Sequence, residues 1–484
     1  MAASKMMQFV AVPQTLPHKR SVEERVQDFA EIYDRFRPER ASEQASRCEQ
    51  CGIPFCQIHC PLHNNIPDWL RMTAEGRLEE AYELSSATSA MPEICGRICP
   101  QDRLCEGNCV IEKGFNSVTI GTVERYINDT AFEMGWVQPP RPSRERPGSV
   151  GIIGAGPAGY SVAFELRRKG WQVDVYDRYD RVGGLLMYGI PGFKLEKDVV
   201  QRRADLLEQA GVRFHLNCDV GTPGHPGFAE LRQRHDAIFI GTGVYKARAL
   251  QVPGVGLPGV VPALRYLTAS NRKSLGDQVP EFDDGSLNAA GKHVVVIGGG
   301  DTAMDCVRTA VRQGALSVKC LYRRDKENMP GSMREVKHAE EEGVEFVWLS
   351  APEAFLGDER VEAVRAIRMR LGAPDSTGRQ SPEIVPDSGF RLPADLVIAA
   401  LGFDPEDHLA MFGEPELKVS RWGTITIDWS TMQTNLEGVF AGGDIVRGAS
   451  LVVWGVRDGR DAAAAMHDFL LNRTAGRDAL AAAA

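Results

Sequence analysis

Several things are missing from this chain of 484 residues, and each absence removes a class of function. No apolar run approaches the roughly 18 residues that a membrane-spanning helix needs. The opening stretch, MAASKMMQFVAVPQTLPHKR, has no apolar core of the kind a secretory signal carries. A cytoplasmic protein that stays off the membrane is expected. No block of basic residues is present either: 56 Lys and Arg stand against 65 Asp and Glu, for a net charge of −9. Nucleic acid and anionic lipid are therefore not expected partners. After Cys109 only three cysteines remain, Cys218, Cys306 and Cys320, and no two are close in sequence. A disulfide reductase needs a close redox pair, so disulfide reduction is excluded as the main activity. Each of the three reads as a buried small hydrophobe.

What is there is 43% apolar and 25% charged, the balance of a globular protein with ample core. Its organising stretch is IGAGPAGY. An apolar run at Val150–Ile153 reads as a buried parallel strand, and Gly154, Gly156 and Gly159 follow at G-x-G-x-x-G spacing. Each glycine answers a separate demand. Gly154 makes a tight turn, Gly156 admits a pyrophosphate against the backbone, and Gly159 lets the next helix pack on the strand. That helix, from Pro157 and Ala158 onward, aims free amides and its positive end at the phosphates. A second strand, WQVDVYD, ends in Asp177, 23 residues after Gly154, where a carboxylate can accept hydrogen bonds from a ribose. Gly184 and Leu185 in RVGGLLMYGIP, and Gly241, Thr242 and Gly243 after the strand HDAIFI, read as loops close to the same nucleotide. Asp444, behind Gly443 in GVFAGGDIV, reads as a ligand of the ribityl chain or pyrophosphate of a flavin. The helix that starts near Val453 and Trp454 presents its dipole to the flavin N1/O2 edge.

GKHVVVIGGGDTAMD repeats the theme 144 residues further on. Gly298, Gly300 and Ala303 follow a valine-rich strand and open a helix through Asp301 and Thr302. Its second strand, SVKCLYRR, ends not in an acid but in Arg323 and Arg324. Two guanidinium groups at that register suit a 2′-phosphate through bidentate bonds, which favours NADP over NAD. The segment ADLVIAALGFDP, with Gly402, then returns the chain to the first fold.

Eight of the eleven cysteines lie between Cys48 and Cys109. They run Cys48-x2-Cys51-x4-Cys56-x3-Cys60-Pro61, then, after a helical interval, Cys95-x3-Cys99-Pro100, Cys105 and Cys109. In a reducing compartment such clustering points to metal rather than disulfides. Zinc knuckles usually come as two C-x2-C pairs, and only one is present, so iron–sulfur ligation is favoured over zinc. Eight thiolates suggest two 4Fe–4S clusters, although spacing alone does not pair them. His59 and His63 read as loop residues rather than ligands. Ahead of the cysteines, DFAEIYDRF (28–36) reads as an amphipathic helix, and VQPPRPSRERPG (137–148) reads as a linker.

The expected fold class is α/β: a helical N-terminal iron–sulfur domain followed by two Rossmann-like nucleotide-binding domains, for FAD and NADPH, the second inserted in the first. The expected limits are 1–145 for the iron–sulfur domain, 146–255 and 404–484 for the two parts of the FAD domain, and 256–403 for the NADPH domain.

On CEQCGIPFCQIHCPLHNNIPDW, EICGRICPQDRLCEGNC, IGAGPAGY, GGLLMYGIPGFKLEK, GGGDTAMDC and AGGDIVRGASLVVWGVRDGR, nearly the whole chain resembles the NADPH-dependent small (beta) subunits of bacterial glutamate synthase. The same architecture occurs in the N-terminal part of dihydropyrimidine dehydrogenase. The resemblance implies that Cys48, Cys51, Cys56 and Cys109 hold one cluster and that Cys60, Cys99 and Cys105 hold the other. The fourth ligand of the second cluster is a glutamine oxygen in dihydropyrimidine dehydrogenase. The matching position here is Glu124, with Cys95 as the conventional alternative; Glu124 is preferred. The resemblance also implies electron flow from NADPH through FAD and the two clusters to the FMN of a large (alpha) subunit, which makes L-glutamate from L-glutamine and 2-oxoglutarate. This chain has no barrel for that chemistry, and Met1-Ala2-Ala3 offers no nucleophilic cysteine for a glutaminase. The rival expectation is a related NADPH–FAD–iron–sulfur subunit serving ferredoxin or a dihydropyrimidine dehydrogenase. Replacing Arg323 and Arg324 together by alanine is expected to weaken NADPH binding far more than NADH binding. Equal loss of both in a titration would sink the 2′-phosphate assignment.

Overall fold

The computed structural model describes residues 6–376, 378 and 380–483, with side chains as far as 475. Met1, Ala2 and Ala3, read above as lacking a nucleophile, lie outside the described residues.

The N-terminal part is helix packed on helix. The helices are Pro38–Ala45, Ile66–Glu75, Leu78–Ser86, Pro92–Ile98 and Ile120–Glu133; their shared core includes Trp69, Leu70, Ile120, Val123 and Ile127, while Pro92–Ile98 buries Ile94 in the core of the first nucleotide fold. Proline in the first turn starts three of them, where its missing N–H costs nothing. Trp69 is fully buried and its indole N–H donates to Asn64 Oδ1 at 2.8 Å, so the core carries no orphaned donor there.

The helix expected over 28–36 does not form. The segment is irregular, bent at Ala30 and Ile32, with Tyr33 bridged to Lys19. Ile32 and Phe36 are buried, as the amphipathic pattern asks, but tertiary ion pairs fix the backbone. Glu31 is buried between Arg97 at 2.7 Å and Arg125 at 2.8 Å. A buried carboxylate held by two guanidinium groups outweighs the small propensity differences that favour helix.

Two parallel sheets follow. The first uses β1 (Ser149–Ile153), β2 (Gln172–Tyr176), β3 (Arg213–His215) and β4 (Ala237–Ile240). The chain crosses out at β5 (Lys246–Ala247). The second sheet uses β6 (Val260–Pro262), β7 (His293–Ile297), β8 (Ser317–Leu321) and β9 (Glu345–Val347). An antiparallel patch is then made from β10 (Ser350–Leu356), β11 (Ala363–Pro374), β12 (Gln380–Ile384) and β13 (Phe390–Pro393). β14 (Leu396–Ala399) completes the second sheet, β15 (Phe403–Asp404) crosses back beside β5, and β16 (Val439–Ala441) completes the first. The strand orders are β16-β4-β1-β2-β3 and β6-β14-β7-β8-β9. The second nucleotide fold is thus inserted in the first, and β5 with β15 marks both crossings.

The long helix Val452–Ala483 packs on the helix Pro157–Arg168, and small residues set the approach. A Cβ on Gly459 would lie 2.3 Å from the Ala158 carbonyl oxygen. Cys218, Cys306 and Cys320 are buried, as expected of small hydrophobes.

The N-terminal arm is bound to the second nucleotide fold through the helix Met333–Glu341 and the residue after it. Lys19 and Arg25 pair with Glu341 at 2.6 and 2.7 Å, and the Tyr33 hydroxyl meets His338 Nε2 at 3.0 Å. Glu342 is buried among Arg308, Arg312 and Arg25, at 2.9, 2.7 and 3.1 Å. Burial works against its charge, but the Arg312 and Arg308 guanidinium groups prevail and hold the carboxyl down at about 2 from the usual 4.5. A carboxyl depressed on folding contributes stability that is full above its unfolded value and is lost as pH falls towards the folded one. Glu342→Gln is therefore expected to cost about 3–5 kcal/mol near neutrality, because three arginines lose a shared partner. In urea titrations at several pH values, the variant should lose the part of the acid destabilisation between about pH 5 and 2 that wild type owes to this group.

Candidate functional site

One cleft, of about 1440 Å³ with its open mouth, joins all three parts of the molecule. Its walls include Gly154, Gly156, Pro157 and Ala158 of the first fingerprint, Asp301 and Thr302 of the second, and Cys99 and Pro100 of the cysteine-rich part. The two fingerprints are built alike. Gly154 has φ +105°, and a Cβ there would lie 2.4 Å from the Gly241 carbonyl oxygen. Gly298 has φ +141°, and a Cβ would lie 2.2 Å from the Ala400 carbonyl oxygen. In each fold the first glycine is compelled by backbone shape and by the neighbouring strand.

The middle glycines differ. Gly156 and Gly300 have ordinary extended backbone (φ −75° and −88°), and a Cβ on either would meet nothing within 4 Å. Nothing in the polypeptide requires glycine at these places. Each leaves bare backbone at the start of a helix, beside free amides that attract anions. The chain therefore fits a diphosphate at both fingerprints.

Around the first fingerprint, Asp177 directly follows β2, and its two carboxylate oxygens accept the Ala155 and Tyr179 amides at 2.6 and 2.8 Å. Burial pushes the carboxyl up against the pull of those amides. Leu185, Gly241, Thr242, Gly243, Gly443 and Asp444 all line the cleft, while Gly159 and Gly184 support it from behind. Asp444 accepts hydrogen bonds from the Ser450 amide and hydroxyl at 3.1 and 2.6 Å, and burial raises its carboxyl to about 6. From the C-terminal helix start, Leu451, Val452 and Gly455 reach the cleft. Val453 instead packs in the core, and Trp454 stacks under Arg447 and Arg457.

A second cleft, of about 1670 Å³ with its open mouth, lies beside the second fingerprint and is lined by Gly298, Gly300, Thr302, Arg323, Arg324 and Gly402. Ala303 is buried under the turn. Arg323 is exposed, and Arg324 Nε is buried with no hydrogen-bond partner among the described residues. An unpaired guanidinium donor on the cleft wall fits an anionic ligand group. Arg248, which sequence reasoning passed over, lines the same cleft and pairs with Asp404 at 2.9 Å. Thr302 lines both clefts, so they meet at the start of the helix Asp301–Arg312.

Two further residues of the first cleft were also missed. Lys194 Nζ pairs with Asp305 at 2.9 Å across the two folds, and burial raises the Asp305 carboxyl to about 6. Both lie within quoted stretches, Lys194 in GGLLMYGIPGFKLEK and Asp305 in GGGDTAMDC, but neither was singled out there, and only the packed structure brings them together.

The eight clustered cysteines carry free thiols. Their mutual electrostatic influence sorts them into two sets. Cys48, Cys51, Cys56 and Cys109 act mainly on one another and Cys60, Cys95, Cys99, Cys105 and Glu124 mainly on one another, with Cys56 also acting on Cys105 across the two sets. Burial is the main cause that pushes the Cys48 and Cys60 thiols up to about 11 and Cys56 to about 12. A hydrogen bond with Cys95, then burial, raises Cys99 well above its ordinary value. Glu124 is likewise pushed up by burial and by Cys95. Among the described residues no three such side chains converge tightly enough to hold a single metal ion. Two sets of sulfur donors in a low-dielectric surround fit soft-metal clusters, whose charge replaces the protons these thiols otherwise keep. His59 bonds its own turn, Nδ1 to the Phe55 carbonyl oxygen at 2.9 Å.

Residues 25–136 match the family described as dihydropyrimidine dehydrogenase domain II, 4Fe-4S cluster. Residues 148–459 match the pyridine nucleotide-disulphide oxidoreductases. The glutamate synthase (NADPH) small chain of Azospirillum brasilense is 65% identical over 470 residues, 97% of each chain. The chain belongs to the glutamate synthase small-chain family. The putative oxidoreductase AegA of Escherichia coli (strain K12) is 45% identical over 475 residues, 96% of this chain and 71% of that protein. FprA of Mycobacterium tuberculosis, solved in complex with NADPH, shares the fold with a TM-score of 0.58 over 69% of this chain and 86% of its own, at 21% identity. As a family member the chain is a pyridine-nucleotide-dependent oxidoreductase and an electron-transfer subunit.

Gly156→Ala and Gly300→Ala provide a sharp test of the bare-backbone sites. Each is expected to leave the melting temperature nearly unchanged, since neither glycine is needed for folding. Gly156→Ala should purify with less flavin, and Gly300→Ala should bind NADPH weakly. Gly154→Ala, by contrast, should fail to fold well.

Proposed function

We propose that this chain is the NADPH-oxidising, electron-input subunit of a glutamate synthase. The observation that carries the reading is the single cleft whose walls come from both nucleotide fingerprints and from Cys99–Pro100. When bound, NADPH supplies a hydride to FAD, and two 4Fe–4S clusters carry the electrons onward one at a time.

The residues of the chain hold and orient. Gly156 and the helix at Pro157 receive the FAD pyrophosphate, with Asp177 and Asp444 on the sugar and ribityl side. Gly300 and the helix at Asp301 receive that of NADPH, and Arg323 with Arg324 takes its 2′-phosphate. Cys48, Cys51, Cys56 and Cys109 ligate one cluster; Cys60, Cys99, Cys105 and Glu124 ligate the other, with Cys95 a spare thiol beside it. Hydride transfer from a bound nicotinamide to a bound flavin would need no protein acid or base, so position and electrostatics are what the fold would contribute. The acceptor is the FMN of the large (alpha) subunit, which makes L-glutamate from L-glutamine and 2-oxoglutarate. A cytoplasmic setting goes with this reading, and no helix among the described residues is long and apolar enough to cross a membrane.

A second reading has one observation in its favour. AegA contains a similar unit as only 71% of its own length, so the unit also occurs in a longer oxidoreductase. On that reading the chain serves ferredoxin or a dihydropyrimidine dehydrogenase-type partner.

Anaerobic titration with NADPH, alongside iron, sulfide, zinc and flavin analysis, tests the first reading. About one FAD and about eight irons per chain are expected, with flavin bleaching at about one NADPH. Addition of the large subunit should then restore glutamate formation. Zinc in place of iron would overturn the electron-transfer role of the N-terminal part, and reduction of ferredoxin without any effect of the large subunit would favour the second reading.

A further inference from the structure

The loop between Cys99 and Cys105 is rigid within itself. The Gln101 carbonyl oxygen accepts the amides of Leu104, Glu106 and Gly107 at 3.1, 2.9 and 3.0 Å. A Cβ on Gly107 would lie 1.9 Å from the Asp102 carbonyl oxygen, so the turn is closed on its own backbone. The buried Gln101 side chain donates to the Gly96 carbonyl at 3.0 Å and is wedged against Gly121.

Outwardly, the same loop is bound to the second nucleotide fold by three consecutive side chains. Arg334 donates to Gln101 Oε1. Ser332 Oγ donates to the Asp102 carboxylate at 3.2 Å. Arg103 donates to the Pro330 carbonyl and pairs with Asp301 at 3.3 Å. The segment 330–334 in turn touches the fingerprint itself. The Gly331 amide donates to the Gly299 carbonyl at 2.9 Å, and the Ser332 amide to Asp301 Oδ1 at 2.9 Å.

Asp301 occupies the first turn of the helix whose free amides face the nucleotide cleft. A carboxylate there stabilises an empty helix end, but it repels an arriving diphosphate. The cation beside it, Arg103, comes from the cysteine-rich part rather than from the nucleotide fold. We propose that the loop Gln101–Arg103 couples nucleotide occupancy at Gly298–Ala303 to the cluster held by Cys60, Cys99 and Cys105, with Arg103 setting nucleotide affinity. This rests on the reading of NADPH and a cluster as the ligands of those two sites. Only five residues separate Cys99 from Cys105, so a shift of Arg103 or Gln101 changes the hydrogen bonding and solvent access of both sulfurs. Those factors tune a cluster's potential. Coupling of this kind is reciprocal: whatever nucleotide does to the cluster's reduction, reduction does to nucleotide affinity.

The test uses the loaded protein and NADP⁺, which binds without supplying electrons. In wild type, saturating NADP⁺ is expected to shift the midpoint potential of the second cluster, followed by electron paramagnetic resonance. The NADP⁺ Kd should differ between cluster-oxidised and cluster-reduced protein by about fivefold or more. Arg103→Ala should retain its iron, bind NADP⁺ more weakly and lose the potential shift. Arg103→Lys should recover part of the affinity by keeping the charge, and adding Asp301→Asn to Arg103→Ala should recover affinity by removing the repulsion. No potential shift in wild type, or an unchanged Kd and shift in Arg103→Ala, overturns the proposal while leaving the electron-transfer reading intact. A wild-type protein that binds neither iron nor NADP⁺ overturns both.

Discussion

Gly459 has no room for a side chain, and the architecture hangs on that closeness. Because its Cα lies against the Ala158 carbonyl, the C-terminal helix can lie directly on the helix that opens the first fingerprint. The same return of chain adds β16 to the edge of β4 and brings Asp444, Leu451, Val452 and Gly455 to the cleft. Without it β4 becomes the edge strand of the first sheet and the cleft lacks a wall. Everything between residues 246 and 404 is inserted between these two halves, with β5 and β15 paired at the crossing points.

A second level of organisation is electrostatic. Carboxylates at Glu31, Glu341 and Glu342 each gather two or three cations drawn from different parts of the chain. Pairs like these contribute less net stability than their number suggests, because desolvation offsets much of the Coulomb gain. Their effect is geometric specificity. Glu31 fixes the N-terminal part within itself, whereas Glu341 and Glu342, with Lys194 on Asp305 and Arg103 on Asp301, fix the second nucleotide fold against both the first fold and the N-terminal part.

Sequence reasoning read well whatever is decided locally. The fingerprints at Gly154–Gly159 and Gly298–Ala303 are legible because turn, close approach and helix packing are demands on single residues. The cysteine spacing is legible for the same reason, since a loop wrapping a cluster fixes its own intervals. What escaped is settled by packing between distant segments. The stretch 28–36 has a helical pattern, but Glu31 meets Arg97 and Arg125, and an irregular, non-helical chain lets it. Val453 and Trp454 were placed on the right helix start, but which residues of its first turn face the cleft is set by the neighbour it packs on. The partners Lys194, Asp305, Arg103 and Arg334 carry no periodicity that would mark them. Cys95 could not be assigned from spacing, and in the structure it stands with Cys99 and Glu124.

The insertion of one fold inside the other also dictates an order of events at the ribosome. β1 to β4 emerge early but cannot complete their sheet until β16 is made, roughly two hundred residues later. The inserted fold, by contrast, has all its strands available as soon as β14 has emerged. Contacts between far-separated segments form slowly, because chain closure must precede them. The inserted part is thus positioned to fold first and to act as a compact spacer that brings the two halves of its host together. Flavin capture then becomes a late step that reports that the chain has been assembled as a whole.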